Sequence, residues 1–591
     1  MSNVITSFVV DVKDRFTPFL EWVGELKDGK TLKADALAGL TVALVLVPQS
    51  MAYAQLAGLP PYVGLYASFL PVIVASIFGS SRQLATGPVA IVSLMTASAL
   101  APIAATQSVE TVLAYAAILA FLVGVFQLSL GLLRLGILVD FLSHPVVVGF
   151  TNAAAIIIAS SQLSKFFDIV TRKGVHHYQT MWNLGSDLPQ LNTTTLLMGT
   201  FSLVLLLSIK KLGPKLPNVL ITVVICTLVS YFIGYENMGR DSANHPIVVG
   251  FVPSGLPGFQ IPNVEFSQIM NLIVTAAVIG LLGFVEAISV AKAIASETRQ
   301  RLSANQELVG QGLSNITASF FQAYPGSGSF SRSAVNFSAG AVTGFSSVIT
   351  GVLVAITLLF LTPLLHHLPQ ATLAAVIMVA VINLVKIEPI KHAWRVHRHD
   401  GFIAVAVFVT TLFFAPHLEK GIMIGVLLSL GLFLYRTMSP RFVEVSRHED
   451  GTLRNAELFK LKTSDNVSVF RYDGDLYFAN AGYLEGKILN NVASKPDLKV
   501  LILDFESVDL IDSTGEETIA RIAERMESVG IELYIARAKK TMRDAFVRSG
   551  LMDKIGEDRF FRERTHAARY AKEKFGDEID IDSLLKPIHV S

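Results

Sequence analysis

The chain has 591 residues, 52% of them apolar and only 16% charged, with a mean hydropathy of +0.53 and a formal net charge of +1. Soluble globular domains carry about 25% charged residues, so an ordinary soluble enzyme is excluded, and the balanced charge gives no global field that would gather nucleic acid. After Arg436 the composition flips to charge-rich sequence such as "RHEDGTLRNAELFKLKTSDN", which divides the chain into a long membrane region and a soluble C-terminal part of about 130 residues, an ordinary domain size.

In chain order, "MSNVITSFVVDVKDRFTPFLEW" carries charges inside its apolar part and no clean cleavage site. It reads as an amphipathic segment lying at the membrane surface, within an N-terminal cytoplasmic or interfacial stretch 1–34, rather than as a signal peptide. A membrane region 35–437 follows. Helices need about 20 apolar residues to cross a bilayer, which predicts spans near 36–57, 62–79, 111–131, 136–160, 194–210, 216–233, 266–291, 306–322, 343–366, 369–386, 401–416 and 420–436. Two apolar segments near 88–101 and 329–341 are too short to cross; as half-helices they bring the count to about fourteen. The loops "SSRQ", "KKLGPK", "AKAIASETRQRLS" and "KIEPIKHAWRVHRHD" hold Lys and Arg, whereas "AGLPP", "APIAATQSVE", "QAYPGSGS" and "HHLPQ" hold none. By the positive-inside rule both termini are cytoplasmic. Cys226 has no cysteine to pair with and reads as a small hydrophobe. The histidines His392, His397 and His399 sit in a basic juxtamembrane loop that needs no metal to explain it.

From Leu308 to Leu365 the only charged side chain is Arg332, just after the breaker "PGSG". The first short segment enters through an extended piece, Arg82 to Gly87, and its helix is expected to start at Pro88, a favoured first-turn residue. The second breaks at Gly326 and Gly328, with Ser329 near its helix start. By the predicted topology one enters from each side of the membrane, so two helix N-termini meet near the bilayer centre. Interrupted helices in corresponding halves are the best sequence pointer to a transport site. Helix N-termini offer unpaired N–H groups and partial positive charge; with the hydroxyls of Ser329 and Ser331 and with Arg332 they make an anion-attracting pocket. A charge at that depth costs at least about 2.5–3.5 kcal/mol unless it faces a wet cavity and a partner, and the partners expected for Arg332 are Glu286 or the anion itself. Gln49 on the first span and Glu286 on the eighth would face the crossing; Gln49, with Tyr53 one turn on, reads equally well as glue between helices.

These residues carry a resemblance. "VPQSMAYAQLAGLPPYVGLYASFLP", "FVEAISVAKAIA", "NQELVGQGLSNITASFFQAYPGSGSFSRSAVN" and "DLIDSTGEET" resemble, in order and over nearly the whole chain, the sulfate permease (SulP) family of anion transporters. The resemblance implies an α-helical membrane protein of seven-plus-seven inverted repeat with core and gate domains, a homodimer, elevator-type alternating access and a cytoplasmic α/β STAS domain. It implies substrate-binding roles for Gln49, Tyr53, Val89, Ser329, Phe330, Ser331 and Arg332, and an ion-coupling role for Glu286. Sodium-driven members have Asp at that acidic position with oxygen-bearing residues nearby; Val290 one turn on, and Phe330 and Ser331, depart from that pattern, so Glu286 reads as a proton carrier. "FSRSAVN" looks closest to the sulfate–proton symporter branch.

The tail 438–591 (linker, STAS domain and C-terminal segment) alternates short apolar strands such as Val500–Asp504 and Leu533–Ala536 with amphipathic helices, which predicts a mixed α/β sheet. In the anti-sigma-factor antagonists that it resembles, the residue before the glycine of an Asp-Ser-Ser-Gly turn accepts phosphate. Thr514 holds that position here, though the same loop also suits a helix N-cap. The tail is expected to stabilise a dimer or to bind a regulatory protein. No HExxH, P-loop or Asp-rich metal motif is visible in the sequence, so no enzyme, cofactor or metal is expected. The expected function is proton-coupled symport of a small oxyanion, sulfate above others, across the cell membrane. Bicarbonate or C4-dicarboxylate transport, or passive exchange or channel activity on the same fold, stands as the alternative; a nucleobase would gain little from Arg332.

Overall fold

The computed structural model describes residues 17–136, 143–172, 174–213, 217–239, 247–262, 264, 266–382, 384–581 and 584; the surface segment expected over the first sixteen residues and most of the final ten residues fall outside these. The described chain forms two compact units, Met1–Ser429 and Leu430–Ser591.

Among the described residues of the membrane region, fourteen segments correspond to the expected spans and half-helices: α1 Gly29–Leu56, α2 Pro61–Phe78, α3 Ala90–Ala104, α4 Val109–Leu132, α5 His144–Phe167, α6 Thr193–Leu212, α7 Asn218–Ile233, α8 Phe266–Thr298, α9 Ala304–Phe320, α10 Phe330–Ser338, α11 Phe345–Leu365, α12 Gln370–Ile382, α13 Arg398–Phe414 and α14 Leu418–Met438. Eight of them, α1, α2, α4, α5, α6, α8, α11 and α14, are long and apolar enough to cross a bilayer by length and composition. Inside α2 the helix is interrupted between Ala67 and Leu70, where Pro71 has no N–H to give the carbonyl of Ala67. In α11, Thr357–Leu361 widens to a π-turn.

The helix pairings repeat with an offset of seven. α4 packs on α9 as α11 packs on α2, α4 on α8 as α11 on α1, α1 on α10 as α8 on α3, and α5 on α13 as α12 on α6. Such a list is what two structurally equivalent halves give; the pairs link α1–α4 with α8–α11, and α5 and α6 with α12 and α13. The inverted-repeat signature is thus written in the packing itself.

The second unit carries a six-stranded sheet of order β4-β3-β5-β6-β7-β8, built from β3 Arg441–Arg447, β4 Leu453–Asn455, β5 Val467–Asp473, β6 Val500–Asp504, β7 Glu532–Ala536 and β8 Phe560–Phe561. β5 to β8 run parallel, and β3 pairs antiparallel with β4 and β5. Strand side chains alternate faces: Leu501 and Leu503 of β6 join α15 (Ala481–Ser494) and α16 (Ser513–Ser528) through Leu484, Ile488, Ile519 and Ile522, whereas Val500 and Ile502 meet Ala567, Ala568 and Ala571 of a helix at Arg564–Phe575. Both faces being covered explains the continuous apolar run of β6.

Asp504 ends β6 fully buried, with Arg564 Nη1 at 3.0 Å and Arg537 Nη1 at 4.0 Å. Burial pushes its carboxyl up from the ordinary range, against the pull of Arg564, Arg537 and Arg471. Breaking a buried pair from one side typically costs about 3–5 kcal/mol. Arg564→Met should therefore speed amide hydrogen exchange in β6, and Asp504→Asn in the same background should restore most of the protection.

Candidate functional site

Two short strands form the heart of the membrane unit. β1, Thr86–Gly87, pairs antiparallel with β2, Ser327–Gly328, matching Thr86 with Gly328 and Gly87 with Ser327, and the Ser329 N–H donates to the Ala85 carbonyl at 2.9 Å. β1 runs into α3 and β2 runs into α10, so the helices continue in opposite directions and turn their N-termini toward each other across the ladder. Val89 is the N-cap of α3 and Ser329 that of α10. The helix therefore starts at Ala90, not at Pro88: Val89 is extended, with φ −134° and ψ 151°, because the pairing draws the chain out past the proline. Ala85 lies opposite Ser329, so the two helix starts stand apart by about four residues of strand rise, ~13 Å.

Irregular backbone at membrane depth must have its polar groups satisfied by protein, and a stripe of polar residues on α9 does much of this. Gln311 donates to Thr86 Oγ1 at 2.9 Å. Asn315 accepts from the Gly326 N–H at 2.8 Å and donates to the Gly326 carbonyl at 3.2 Å and to Gln127 at 2.9 Å. Glu307, one turn earlier, accepts from the N–H groups of Ser80 and Ser81, each at 3.0 Å. From α10, Ser333 accepts from the Ala85 N–H at 2.8 Å and Asn336 donates to the Gln83 carbonyl at 3.1 Å. Ser327 Oγ donates to the Gly283 carbonyl of α8 at 2.6 Å. The approach to α3 is thus fastened by α9 and α10 of the opposite repeat, and the approach to α10 by α8 and α9 of its own. The sequence signal was available: Glu307, Gln311 and Asn315 recur every four residues along one face of α9.

Close approach dictates two glycines. Gly87 has φ +139°, reached freely only without a Cβ. At Gly328 a Cβ would lie 2.8 Å from both the Ala287 Cβ and Leu84 Cδ1. Overpacking of this kind costs about 1–3 kcal/mol; Gly328→Val should lower the thermal midpoint of the purified protein in detergent, whereas the same change at Gly340, where nothing lies within 4 Å but φ is +92°, should act only through backbone strain.

Arg332 follows in the first turn of α10 and is 1% exposed. Its Nη2 lies near Gly87, 3.4 Å from where a Cβ there would be. None of the three guanidinium nitrogens has a hydrogen-bond partner among the described residues. Tyr53, Glu286 and Tyr324 are within electrostatic reach, but Glu286 makes no ion pair with it among the described residues, and Glu286 Oε2 is itself buried without a hydrogen bond. Of the two partners expected for Arg332, Glu286 or the anion itself, Glu286 thus forms no direct pair with it among the described residues. Glu286 sits on the face of α8 whose Gly283 and Ala287 touch β2, and Val290 on that face is buried in an apolar cluster with Leu84, Ala291 and Ile294.

Gln49 and Tyr53 are buried on α1, just after Pro48 inside that helix, and Val89 and Ser329 are buried as well. Gln49 Oε1 also lacks a partner. Ser329 Oγ accepts from the Arg332 N–H at 3.4 Å and meets Ser331 Oγ at 3.4 Å. Phe330 and Ser331 turn outward: Phe330 is 57% exposed and lies under the Lys386 ammonium, 5.7 Å from its ring centroid. Sequence reasoning missed Lys386, and it missed Tyr324, fully buried, whose hydroxyl joins Ser93 on the first turn of α3 at 2.9 Å. A cavity of about 860 Å³ opens beside Gln55, Leu94, Ser98, Lys165 and His177; none of the seven expected substrate residues lines it.

Thr514 is half-buried in the first turn of α16. The cap of that helix is Asp512, whose carboxylate accepts from the Gly515 N–H at 2.8 Å and from the Phe478 N–H at 2.9 Å.

Paired half-helices, crossing strands and two interleaved seven-helix repeats define a multi-pass membrane protein of the inverted-repeat carrier type. The model of the sulfate permease family matches residues 32–407 and that of the STAS domain residues 459–567; the chain belongs to the sulfate permease family and ends in a STAS domain. It is 35% identical over 565 residues to Sulfate transporter 4.1, chloroplastic, of Arabidopsis thaliana, covering 94% of this chain and 82% of that one. It is 31% identical over 563 residues to High affinity sulfate transporter 2 of Stylosanthes hamata, covering 92% and 84%. Among solved structures it superposes on the murine Solute Carrier 26 family member A9 anion transporter with a TM-score of 0.86 at 25% identity, over 96% of this chain and 95% of the other. The transmembrane domain of the cyanobacterial bicarbonate transporter BicA shares the fold, with a TM-score of 0.57 at 23% identity over 68% of this chain and 98% of the other.

Proposed function

We propose that the chain is a secondary active transporter that carries sulfate together with protons. The observation that carries this reading is Arg332: a fully buried guanidinium at the foot of α10, hydrogen-bonded to no protein group among the described residues. Such a cation is costly at membrane depth and favours a state in which an anion lies against it and against the facing N-terminus of α3. The names of the relatives, sulfate transporters from two plants, favour sulfate as that anion. Sulfate is a dianion; one fixed cation and two helix termini leave part of its charge uncompensated, and a proton on Glu286 would remove a competing negative charge from the same hollow. Val290, one turn on from Glu286 and buried in an apolar cluster, has no side-chain oxygen to give to sodium.

In this reading the group α1–α4 with α8–α11 moves as the elevator core, bearing the site against the gate group α5–α7 with α12–α14. The protein lies in the cell membrane with both termini in the cytoplasm, as the Lys and Arg bias of the short loops suggests, and works as a homodimer. Phe478 and Leu510, exposed beside the α16 cap, suit a regulatory partner of the STAS domain, and phosphate on Thr514 would add negative charge at a helix N-terminus, where it is tolerated.

The test is uptake of radiolabelled sulfate by proteoliposomes with and without an inward proton gradient, with bicarbonate, succinate and nitrate as competitors. Accumulation that follows the proton gradient and is blocked by excess unlabelled sulfate supports the proposal. Uptake indifferent to the gradient reassigns the chain to passive exchange, and stronger block by bicarbonate or succinate reassigns the substrate.

A further inference from the structure

A second cluster lies away from the half-helix crossing. Glu236 belongs to a single helical turn, Tyr235–Met238, directly after α7, and His366 and His367 follow α11. Glu236 Oε2 lies 3.5 Å from His366 Nε2 and 3.3 Å from His367 Nδ1, and one ligand atom from each residue falls within 4.8 Å of the others. Zinc–nitrogen and zinc–oxygen bonds of about 2.0–2.1 Å in a tetrahedron require ligand separations of ~3.3–3.4 Å, so both carboxylate–imidazole edges already have the right length. Two imidazoles and a carboxylate are also the donors that zinc prefers, with a fourth position left for water.

The surroundings hold these donors in place. The segment after Glu236 returns alongside the histidines: the Gly250 N–H donates to the His366 carbonyl at 3.0 Å, the Val249 N–H to the Leu368 carbonyl at 2.9 Å, and the Gln370 N–H to the Ile247 carbonyl at 2.8 Å. Tyr231 of α7 sets its ring edge-on to His367, with centroids 5.1 Å apart. Side-chain exposures of 43%, 28% and 38% for His366, His367 and Glu236 leave the donors reachable by an ion from solvent. The positions matter as well. His366 and His367 form the link from α11 to α12, which joins the two helix groups, and Glu236 extends α7 of the group containing α12.

We propose that Glu236, His366 and His367 form a zinc-class divalent metal site that clamps the α11–α12 link to the end of α7. The inference stands apart from the substrate reading, since it concerns other residues and is read out by metal binding. The experiment titrates full-length protein in lipid nanodiscs with Co²⁺, whose visible absorption reports four-coordinate nitrogen and oxygen ligands, and then displaces it with Zn²⁺. The expected result is one site per chain of about micromolar affinity, weakened at least about 30-fold in His367→Gln and in Glu236→Gln and unchanged in His392→Gln, with Zn²⁺ slowing amide exchange at Val249 and Gly250. Either single variant suffices should the other fail to fold. Equal affinity in His367→Gln and the parent, no stoichiometric Co²⁺ band, or a bound metal that leaves exchange at Val249 and Gly250 unaltered would overturn the proposal; so would histidine variants that change only the pH dependence of transport.

Discussion

Arg332→Gln is expected to reduce sulfate uptake by at least ~30–100-fold, the worth of about 2–3 kcal/mol of charge-assisted hydrogen bonding, and at the same time to raise the thermal midpoint of the protein without substrate. The two effects have one cause. A guanidinium with three buried nitrogens and no hydrogen-bond partner among the described residues burdens the resting protein, and removing it relieves that burden while deleting the counter-charge that the anion needs. A residue that merely braced the fold would give the opposite sign in stability. Uptake in proteoliposomes together with melting in detergent, with and without sulfate, reads both; the parent should gain stability from sulfate and the variant should not. A destabilised variant that retains uptake would make Arg332 a structural residue.

Glu286→Gln is expected to abolish accumulation driven by a proton gradient while preserving sulfate–sulfate exchange. Glutamine keeps the shape of a protonated carboxyl and cannot release the proton, so the carrier would be fixed in its loaded charge state. Glu286 makes no direct ion pair with Arg332 among the described residues, so the substitution leaves Arg332 in place and exchange should survive. Parent uptake should rise as the outside is acidified, and the variant's exchange should be flat across the same range. Loss of both activities would show that Glu286 supports the site itself rather than its coupling to protons.

Much of this was legible in the sequence because membrane helices advertise themselves. All fourteen segments, the two short ones included, follow from runs of apolar residues and from the isolated breakers Gly87, Gly326 and Gly328. The repeat was visible as paired interruptions, and the packing pairs follow from it. What escaped was set by contacts across the two halves. The start of α3 moved from Pro88 to Ala90 because β2 pairs with the approach to it, which no local propensity encodes. Whether Arg332 would meet Glu286 or only an anion could not be read from sequence, because the N-terminal turn of α10 places one and the face of α8 against β2 places the other, and no direct pair forms among the described residues. Phe330 and Ser331 follow one another in sequence with Arg332, yet helix geometry turns them away from it. The polar stripe of α9 was on the page, but its task is to satisfy the backbone of strands whose pairing is known only from the fold.

The most direct measurement is the position of a bound oxyanion. Selenate has the charge and shape of sulfate and scatters anomalously, so a crystal grown with it marks the anion by element. The selenium peak is expected between the first turns of α3 and α10, within hydrogen-bonding distance of the Ser329 hydroxyl and the Arg332 guanidinium. A peak beside Lys165 and His177, in the cavity that those residues line, with Arg332 still buried and unliganded, would contradict it.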